Sequence, residues 1–180
     1  MLPRIPAVVA ALALAAPSAA LAQHPQTRSG FWISGGIGVG SLDLACNGCE
    51  TDRETAATAL LAMGGTLRPG LLLGGEIEGW AKEIQGVDIA VGHVSGVLYW
   101  YPRPSGGLFL KGGAGIGGYS ADAGPLGDES DSGLALHGGV GYDVRVGRNV
   151  SITPAAGIFW DDLGGGDANV LHVGVSVTGH

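Results

Sequence analysis

Apolar and polar residues alternate with a period of two along unusually long stretches of this chain. In the segment 134–146 one face carries Leu134, Leu136, Val140, Tyr142, Val144 and Val146, and the other carries His137, Asp143, Arg145 and Ala135. In 106–119 the first face carries Leu108, Leu110, Ala114 and Ile116, opposite Phe109, Lys111 and Tyr119. Strict alternation over more than ten residues predicts a long strand with one apolar and one polar face.

The same pattern predicts eight strands along the chain. We expect them near 30–40, 56–67, 70–81, 88–101, 107–120, 133–146, 149–160 and 169–178. Each spans about 10–14 residues, a length that suits a tilted strand crossing the hydrocarbon core of a bilayer. The second segment is rich in alanine and leucine, and a short helix is the alternative there.

The predicted connections differ in kind from one end of the strands to the other. Tight turns follow strands two, four and six, at 68–70, 102–106 and 147–149, and each contains an arginine. Acidic loops follow the other strands, at 41–55, 121–132 and 161–168, with a short one near 82–87. Short turns on one rim and longer loops on the other are typical of outer-membrane barrels. Pro154 falls within the seventh strand and predicts a bulge there.

Composition favours a membrane barrel over other classes. Charged residues make up only 14% of the 180 residues, and the mean hydropathy is +0.30. After residue 22 no apolar run is long enough for a transmembrane helix. The 35 glycines follow no Gly-X-Y period, which excludes collagen, and the net charge of −7 argues against nucleic acid.

Aromatic residues add an expectation about the membrane interfaces, where tryptophan and tyrosine rings are enriched. The residues expected at strand ends there are Trp80, Tyr99, Trp100, Tyr101, Tyr119, Phe159 and Trp160.

The N-terminal residues have the features of an export signal. A basic start, "MLPR", precedes the apolar run "IPAVVAALALAA", and "ALA" at 20–22 matches a signal-peptidase site. We expect a signal peptide over 1–22, a short segment over 23–29 and the barrel over 30–180. In an exported protein, Cys46 and Cys49 of "CNGC" predict a local disulfide, and the segment offers too few ligands for zinc.

The whole pattern resembles the small outer-membrane β-barrel superfamily that includes the membrane domain of outer membrane protein A. The segments "LLLGGEIEGW", "YWYPRPSGGLFLKGG" and "GYDVRVGRN" are further similar to uncharacterised bacterial outer-membrane barrel proteins. The resemblance implies an eight-stranded antiparallel up-and-down barrel in the bacterial outer membrane with both termini in the periplasm. It also implies recognition of the last strand by the barrel assembly machinery, although this strand ends at His180 rather than the usual phenylalanine. Because the chain stops at His180, we expect no periplasmic peptidoglycan-binding domain.

If the apolar face meets lipid, the polar face must line the lumen. The expected lumen charge network is Glu76, Glu78, His93, Lys111, His137, Asp143 and Arg145, with Ser95, Ser151, Thr153, His172 and Ser176 on the same wall. The lumen of an eight-stranded barrel is barely wide enough for side chains, so these buried charges must be paired. A third hairpin centred on 82–87 would set Glu76 opposite His93. The favoured interpretation is a polar plug that fixes the shape of the barrel.

Two functional alternatives compete with that plug. A narrow gated pore would open if the lumenal ion pairs exchanged partners. A lipid A deacylase-like enzyme would use His93 and Ser95 of "HVS" with Glu76 as the orienting carboxylate. The deacylase pattern continues with Asn-Ala, whereas Gly96 and Val97 follow here, and the pair points into the lumen. We therefore expect no catalysis and no cofactor or metal.

The expected partners follow from the location. They are outer-membrane lipid and lipopolysaccharide, which the acidic loops would contact weakly through divalent cations. For the acidic loops themselves, a solvated surface is the favoured interpretation, and the cation-mediated contact is the alternative to it. We expect a monomer with a structural or surface-interaction role and no nucleic-acid partner.

Overall fold

The structure, a computed structural model, describes residues 28–46, 53–84, 87–122, 127–162 and 166–180. The predicted signal peptide and Cys49 lie outside these residues, as does the side chain of Cys46, so the predicted disulfide does too. Among the described residues, no helix is long and apolar enough to cross a membrane.

The described chain is built of antiparallel strands. They are β1 (Phe31–Cys46), β2 (Glu54–Arg68), β3 (Leu71–Ile84), β4 (Val87–Trp100), β5 (Leu108–Asp122), β6 (Asp128–Tyr142), β7 (Val144–Arg145), β8 (Val150–Asp162) and β9 (Gly166–Gly179). β7 has two residues and continues β6 along the same edge of β8. The barrel therefore has eight strand positions, and the second segment is a strand rather than the alternative helix.

The sheet closes on itself. From β1 to β6 each strand pairs with the next, β6 and β7 both pair with β8, and β8 pairs with β9. The ring is completed by β1 and β9, paired from Ile33↔Gly179 to Cys46↔Gly166. This confirms the predicted eight-stranded antiparallel up-and-down barrel. Closure pairs the backbone groups of every strand on both sides, which a span through hydrocarbon requires.

The strands are longer than predicted at the rim of the acidic loops. β1 extends to Cys46, β5 to Asp122 and β8 to Asp162, so much of what the sequence assigned to loops belongs to hairpins. Polar and acidic residues have a low intrinsic preference for strands. They are paired here because each hairpin continues beyond the belt of apolar side chains on the outer wall. At the other rim the turns are as tight as predicted, for example between Arg68 and Leu71.

The predicted bulge at Pro154 is wrong. β8 keeps a single register with β9 through Pro154↔Val175. The proline instead interrupts pairing with the strand on the other side. The pairs Gly141↔Ala155 and Val144↔Ile152 share one register, which places Tyr142, the last residue of β6, opposite Pro154. Proline has no N–H to donate to the ladder, so pairing lapses there and resumes in β7. A register shift does occur in β2, between Thr66 and Arg68.

The period-two assignment of faces is confirmed. Ile37 and Ile116 on the outer wall are 78% and 70% exposed, whereas Glu76 and Asp143 on the inner wall are 1% exposed. The surface is thus apolar around the strands and the ionised groups are inside. That polarity is the reverse of a soluble barrel and fits a wall facing lipid.

The interior is layered rather than uniformly polar. One apolar cluster, near the tight turns, contains Trp32, Ala62, Leu72, Val97, Tyr99, Tyr101 and Phe109. A second, toward the other rim, contains Leu42, Trp80, Val91, Phe159, Ala168 and Val170. The ionised side chains described next occupy the level between them.

Several aromatic rings expected at the membrane interfaces are inside the barrel. Trp80, Tyr99, Tyr101 and Phe159 are buried. The expectation was wrong for these four because the period-two alternation of each strand points their side chains into the lumen. That alternation outweighs the preference of aromatic rings for membrane interfaces. Trp100, by contrast, is exposed on the outer wall.

Candidate functional site

The central polar layer is organised around Lys111 of β5. Its Nζ donates to Glu76 Oε1 at 2.8 Å and to Glu78 Oε2 at 3.3 Å. The two glutamates are successive inward positions of β3, so one ammonium lies between two carboxylates. All three side chains are buried, and a buried carboxylate without such a partner would be strongly destabilising.

Each glutamate has further partners. Tyr99 donates its hydroxyl to Glu76 Oε2 at 2.8 Å. His172 of β9, part of the wider lumen set predicted from sequence, contacts Glu78 through Nδ1. These contacts join β3, β4, β5 and β9 across the lumen, which ordinary strand pairing does not do.

A second chain of contacts runs through His137 of β6. Its Nε2 lies 2.9 Å from Ser95 Oγ, and its Nδ1 lies 3.2 Å from Glu76 Oε1. The order hydroxyl, imidazole, carboxylate is that of a serine-hydrolase triad. The histidine is not the one expected: Ser95 meets His137, while neither ring nitrogen of His93 has a hydrogen-bond partner among the described residues.

Ser95 is enclosed by the barrel wall and packs closely against the neighbouring strand. Ser95 is buried, and a Cβ added to Gly115 would lie only 2.8 Å from its Cβ. Acyl transfer needs room for a tetrahedral centre and aligned oxyanion donors beside the nucleophile. The arrangement is better suited to holding a proton or hydrogen bond than to attacking an ester.

Glycines make room for the lumenal side chains. A Cβ at Gly113 would lie 2.1 Å from His137 Nε2, and one at Gly157 would lie 2.3 Å from His172 Nε2. The rings therefore lie directly over glycines of the wall. This explains part of the unusual glycine content, which sequence reasoning attributed only to bending and close packing.

A separate polar hub lies at the rim of the tight turns, around Asp143. Arg28 Nη2 donates to Asp143 Oδ2 at 2.8 Å, and the guanidinium lies 3.4 Å from the centre of the Tyr101 ring. Tyr101 donates to Oδ2 at 3.0 Å and Thr153 to Oδ1 at 2.9 Å, while His180 Nε2 lies 3.4 Å from Oδ2. Burial raises the pKa of this carboxyl, but His180 and Arg28 outweigh that and hold it below its usual value. The same burial, with the charge of Asp143, raises the pKa of Tyr101.

Arg145 does not join a carboxylate among the described residues. Its Nη1 donates to the carbonyl of Arg148 at 2.7 Å, and Arg28 takes the place beside Asp143 expected for it. Sequence reasoning missed Arg28 because it precedes the first alternating segment. It also missed Asp161, assigned to a loop but fully buried on the inward face of β8.

The predicted pairing of Glu76 with His93 is wrong by two residues. In the β3–β4 hairpin, Glu76 lies opposite Ser95 and Glu78 lies opposite His93. The ring of His93 lies 4.7 Å from that of His137 and 5.1 Å from that of Phe159, between centroids. One ligand atom each from Glu76, His93 and His137 lie within 4.8 Å of one another.

Two small cavities border the central layer. One of about 50 Å³ is lined by residues that include Glu78, Lys111 and His172, and one of about 40 Å³ by residues that include Tyr99, Lys111 and Asp143. A water molecule needs roughly 10–15 Å³ of such space. Each of these two cavities is large enough for a few waters. A larger, open cavity of about 870 Å³ is lined by residues that include Glu78, Trp80 and His93.

Comparison with solved structures identifies the fold. The barrel is similar to Ail, the attachment invasion locus protein of Yersinia pestis, with a TM-score of 0.62, 14% identity, and coverage of 84% of this chain and 99% of that one. It is also similar to Neisserial surface protein A, with a TM-score of 0.58, 15% identity, and coverage of 84% of this chain and 99% of that one. For OprG of Pseudomonas aeruginosa the TM-score is 0.50 and the identity 13%, with coverage of 88% of this chain and 100% of that one. No protein-family model matches the chain. No curated protein matches it either.

Proposed function

We propose that this chain is an integral outer-membrane barrel with a closed lumen, no catalytic activity and an acidic rim that makes surface contacts. The observation that carries the proposal is the polarity of the wall, apolar outside and ionised inside. Its fold is that of small outer-membrane barrels. Arg28 and His180, at the two ends of the described residues, lie on the side of the tight turns, and we assign that side to the periplasm.

Localisation is tested by fractionating cells and comparing boiled with unboiled protein on a denaturing gel. A folded barrel in the outer-membrane fraction should migrate differently before and after boiling. A soluble periplasmic product whose migration does not change on heating would overturn the proposal.

The acidic rim is the surface we assign to partner contacts. Glu83, Asp88 and Asp131 are exposed there. The two basic side chains described at this end already pair with carboxylates, Arg53 with Asp43 and Lys82 with Glu54. Carboxylates left over at a membrane surface favour divalent cations, which also bind the phosphates of lipopolysaccharide. We propose cation-bridged contact with lipopolysaccharide.

The acidic rim does not favour a polyanionic ligand. The Ail protein has been crystallised with the heparin analogue sucrose octasulfate. Sulfates brought to Glu83, Asp88 and Asp131 would meet like charge. We therefore do not extend that ligand to this chain.

The lipopolysaccharide contact is tested by thermal unfolding in liposomes with and without lipopolysaccharide. Wild-type protein should gain stability from Mg²⁺ only when lipopolysaccharide is present, and Glu83→Gln/Asp88→Asn/Asp131→Asn should lose that gain. The matched control, Arg68→Gln/Arg103→Gln/Arg148→Gln, changes three charges at the opposite rim and should keep it. An equal Mg²⁺ response in the acidic-rim variant and wild type would contradict the proposed contact between the acidic rim and lipopolysaccharide. It would not affect the assignment of the chain as an outer-membrane barrel.

A further inference from the structure

Three lumenal side chains from separate strands offer the ligands of a metal site. They are Glu76 on β3, His93 on β4 and His137 on β6, and one ligand atom from each lies within 4.8 Å of the others. All three residues are buried, with exposures of 1%, 3% and 8%. Rigid strands fix their backbones, so the cluster is preorganised rather than assembled by mobile loops.

Unsatisfied nitrogen atoms point to a ligand. Within the described residues, both ring nitrogens of His93 are buried without a hydrogen-bond donor or acceptor. Nδ1 of His137 makes no aligned hydrogen bond, although Glu76 Oε1 lies 3.2 Å from it. Such groups are costly in a barrel interior, since a buried polar atom without a partner keeps its full desolvation penalty. A metal ion accepts the lone pair of a neutral imidazole and so satisfies one nitrogen of each ring.

Ser95 prepares His137 for coordination through Nδ1. His137 Nε2 lies 2.9 Å from Ser95 Oγ, and Nδ1 lies 3.2 Å from Glu76 Oε1. In the tautomer with the proton on Nε2, His137 donates to Ser95 and its Nδ1 lone pair faces the carboxylate, so a cation between these two acceptors would be favourable. A ligating histidine commonly uses its other N–H in this way to fix the tautomer and ring orientation.

The spacing suits a small tetrahedral ion. Ligands at about 2.0–2.1 Å from zinc lie about 3.3 Å from each other in a tetrahedron. The pair formed by His137 Nδ1 and Glu76 Oε1 already has nearly that separation. His93 needs a shift of about 1 Å or more toward them, within reach of a small ring rotation.

The surrounding charges permit a divalent cation. Glu76 Oε2 is held by Tyr99, while Lys111, which shares Oε1, has Glu78 as a second acceptor. Lys111 can therefore move toward Glu78 when an ion enters. Two imidazoles and one carboxylate favour Zn²⁺ and related transition ions over Mg²⁺ or Ca²⁺, which prefer all-oxygen ligands.

We propose that Glu76, His93 and His137 form a lumenal binding site for a divalent transition metal ion of the zinc class, with Ser95 as a positioning residue. The inference concerns ligand binding inside the barrel and is independent of the surface contacts proposed above. The three ligand side chains are buried, so an ion bound among them would have little contact with bulk water.

The test uses the folded full-length barrel in detergent, titrated with Zn²⁺ and, in parallel, with Co²⁺ as a spectroscopic probe. Wild type should retain one zinc per barrel in the presence of excess Mg²⁺, and Co²⁺ should give the visible absorption of a tetrahedral site. His93→Phe should lose stoichiometric binding, and Ser95→Ala should weaken it by about 10–100-fold. His172→Gln removes a lumenal histidine outside the cluster and should bind like wild type.

Heat-modifiable migration shows whether each variant folds before its metal content is compared. X-ray absorption of zinc-loaded wild type provides a measurement that needs no variant, and it should show two imidazole nitrogens and a carboxylate oxygen at about 2.0–2.1 Å. Absence of bound zinc in folded wild type, undiminished binding in His93→Phe, or a zinc shell without imidazole would each overturn the proposal.

Discussion

Lys111 Nζ lies 2.8 Å from Glu76 Oε1 in the middle of the barrel, and the ion pair joins two strands that are not neighbours in the sheet. The same ammonium lies 3.3 Å from Glu78 Oε2. A single cation thus offsets two carboxylates at this level, and the stability of the lumen depends on it.

Lys111→Met should be strongly destabilising because it leaves Glu76 and Glu78 buried without their cation. Loss of one partner from a buried ion pair costs about 3–5 kcal/mol. The free energy of unfolding is measured by denaturant titration of tryptophan fluorescence in liposomes. Lys82→Met is the control, since Lys82 pairs with Glu54 in a part-exposed bridge and should change stability by at most about 1 kcal/mol. Equal effects of the two substitutions would contradict the central role of Lys111.

Gly113→Ala should destabilise the barrel through steric overlap. The added Cβ would lie 2.1 Å from His137 Nε2 and 2.2 Å from the carbonyl oxygen of Gly96, and a backbone oxygen cannot move aside easily. Overpacking of this kind costs about 1–3 kcal/mol. Gly65→Ala is the matched control, because a Cβ there meets nothing within 4 Å on the outer wall. Thermal unfolding of the two variants should differ clearly, and a neutral Gly113→Ala would refute the packing described for His137.

Asp143 should make the stability depend on acid pH. Its pKa is lower in the folded barrel than its ordinary value of 3.8, so its contribution is complete above that value and is lost as pH falls through the folded pKa. Asp143→Asn should therefore be less stable than wild type at pH 7, and the difference should shrink below about pH 4. Unfolding is followed at pH 7 and pH 3, with the exposed Asp131→Asn as a control. A difference that is the same at both pH values would rule out titration of this carboxyl.

The lumen should not conduct ions. Apolar clusters lie on both sides of the ion-pair layer, and the two cavities lined by Lys111 have volumes of only about 50 and 40 Å³. Planar-bilayer recordings of the purified barrel should stay silent from pH 5 to pH 8. Steady channels, particularly ones that open with pH and are abolished in Lys111→Met, would favour the gated pore instead.

Ser95→Ala should leave lipid A unchanged. The Ser95, His137 and Glu76 side chains are arranged like a triad, but they are enclosed by the barrel wall and Ser95 packs against Gly115. Mass spectrometry of lipid A from cells that express wild type or the variant should give identical spectra. A deacylated species present only with wild type would establish the deacylase-like alternative, with His137 in place of His93.

Sequence periodicity predicted the fold and the face of each side chain because burial follows parity in a strand. It placed Glu76, Lys111 and Asp143 on the inner wall, where the structure has them. It could not fix the register, since a slip of two residues keeps every side chain on the same face. That ambiguity is why Glu76 was set opposite His93 rather than Ser95.

Partners across the lumen were beyond the reach of sequence patterns. The contact between Ser95 and His137 depends on the tilt and stagger of the closed sheet, and neither is visible in the alternation. Arg28 was missed for a different reason, as a lone cation before the first strand has no periodic signal. Its contacts with Asp143 and with the carbonyl groups of Pro104 and Gly106 depend on the three-dimensional closure of the barrel.

The hub at Asp143 also has a bearing on the order of events during assembly. Arg28 comes just before β1 and His180 just after β9, yet both contact this one carboxylate. β1 and β9 are the first and last strands of the barrel in sequence. The contacts of Asp143 are therefore complete only after β1 and β9 have paired and closed the barrel. An open intermediate therefore carries an unneutralised aspartate at the growing end. We expect its neutralisation to favour closure of the barrel and to slow its reopening.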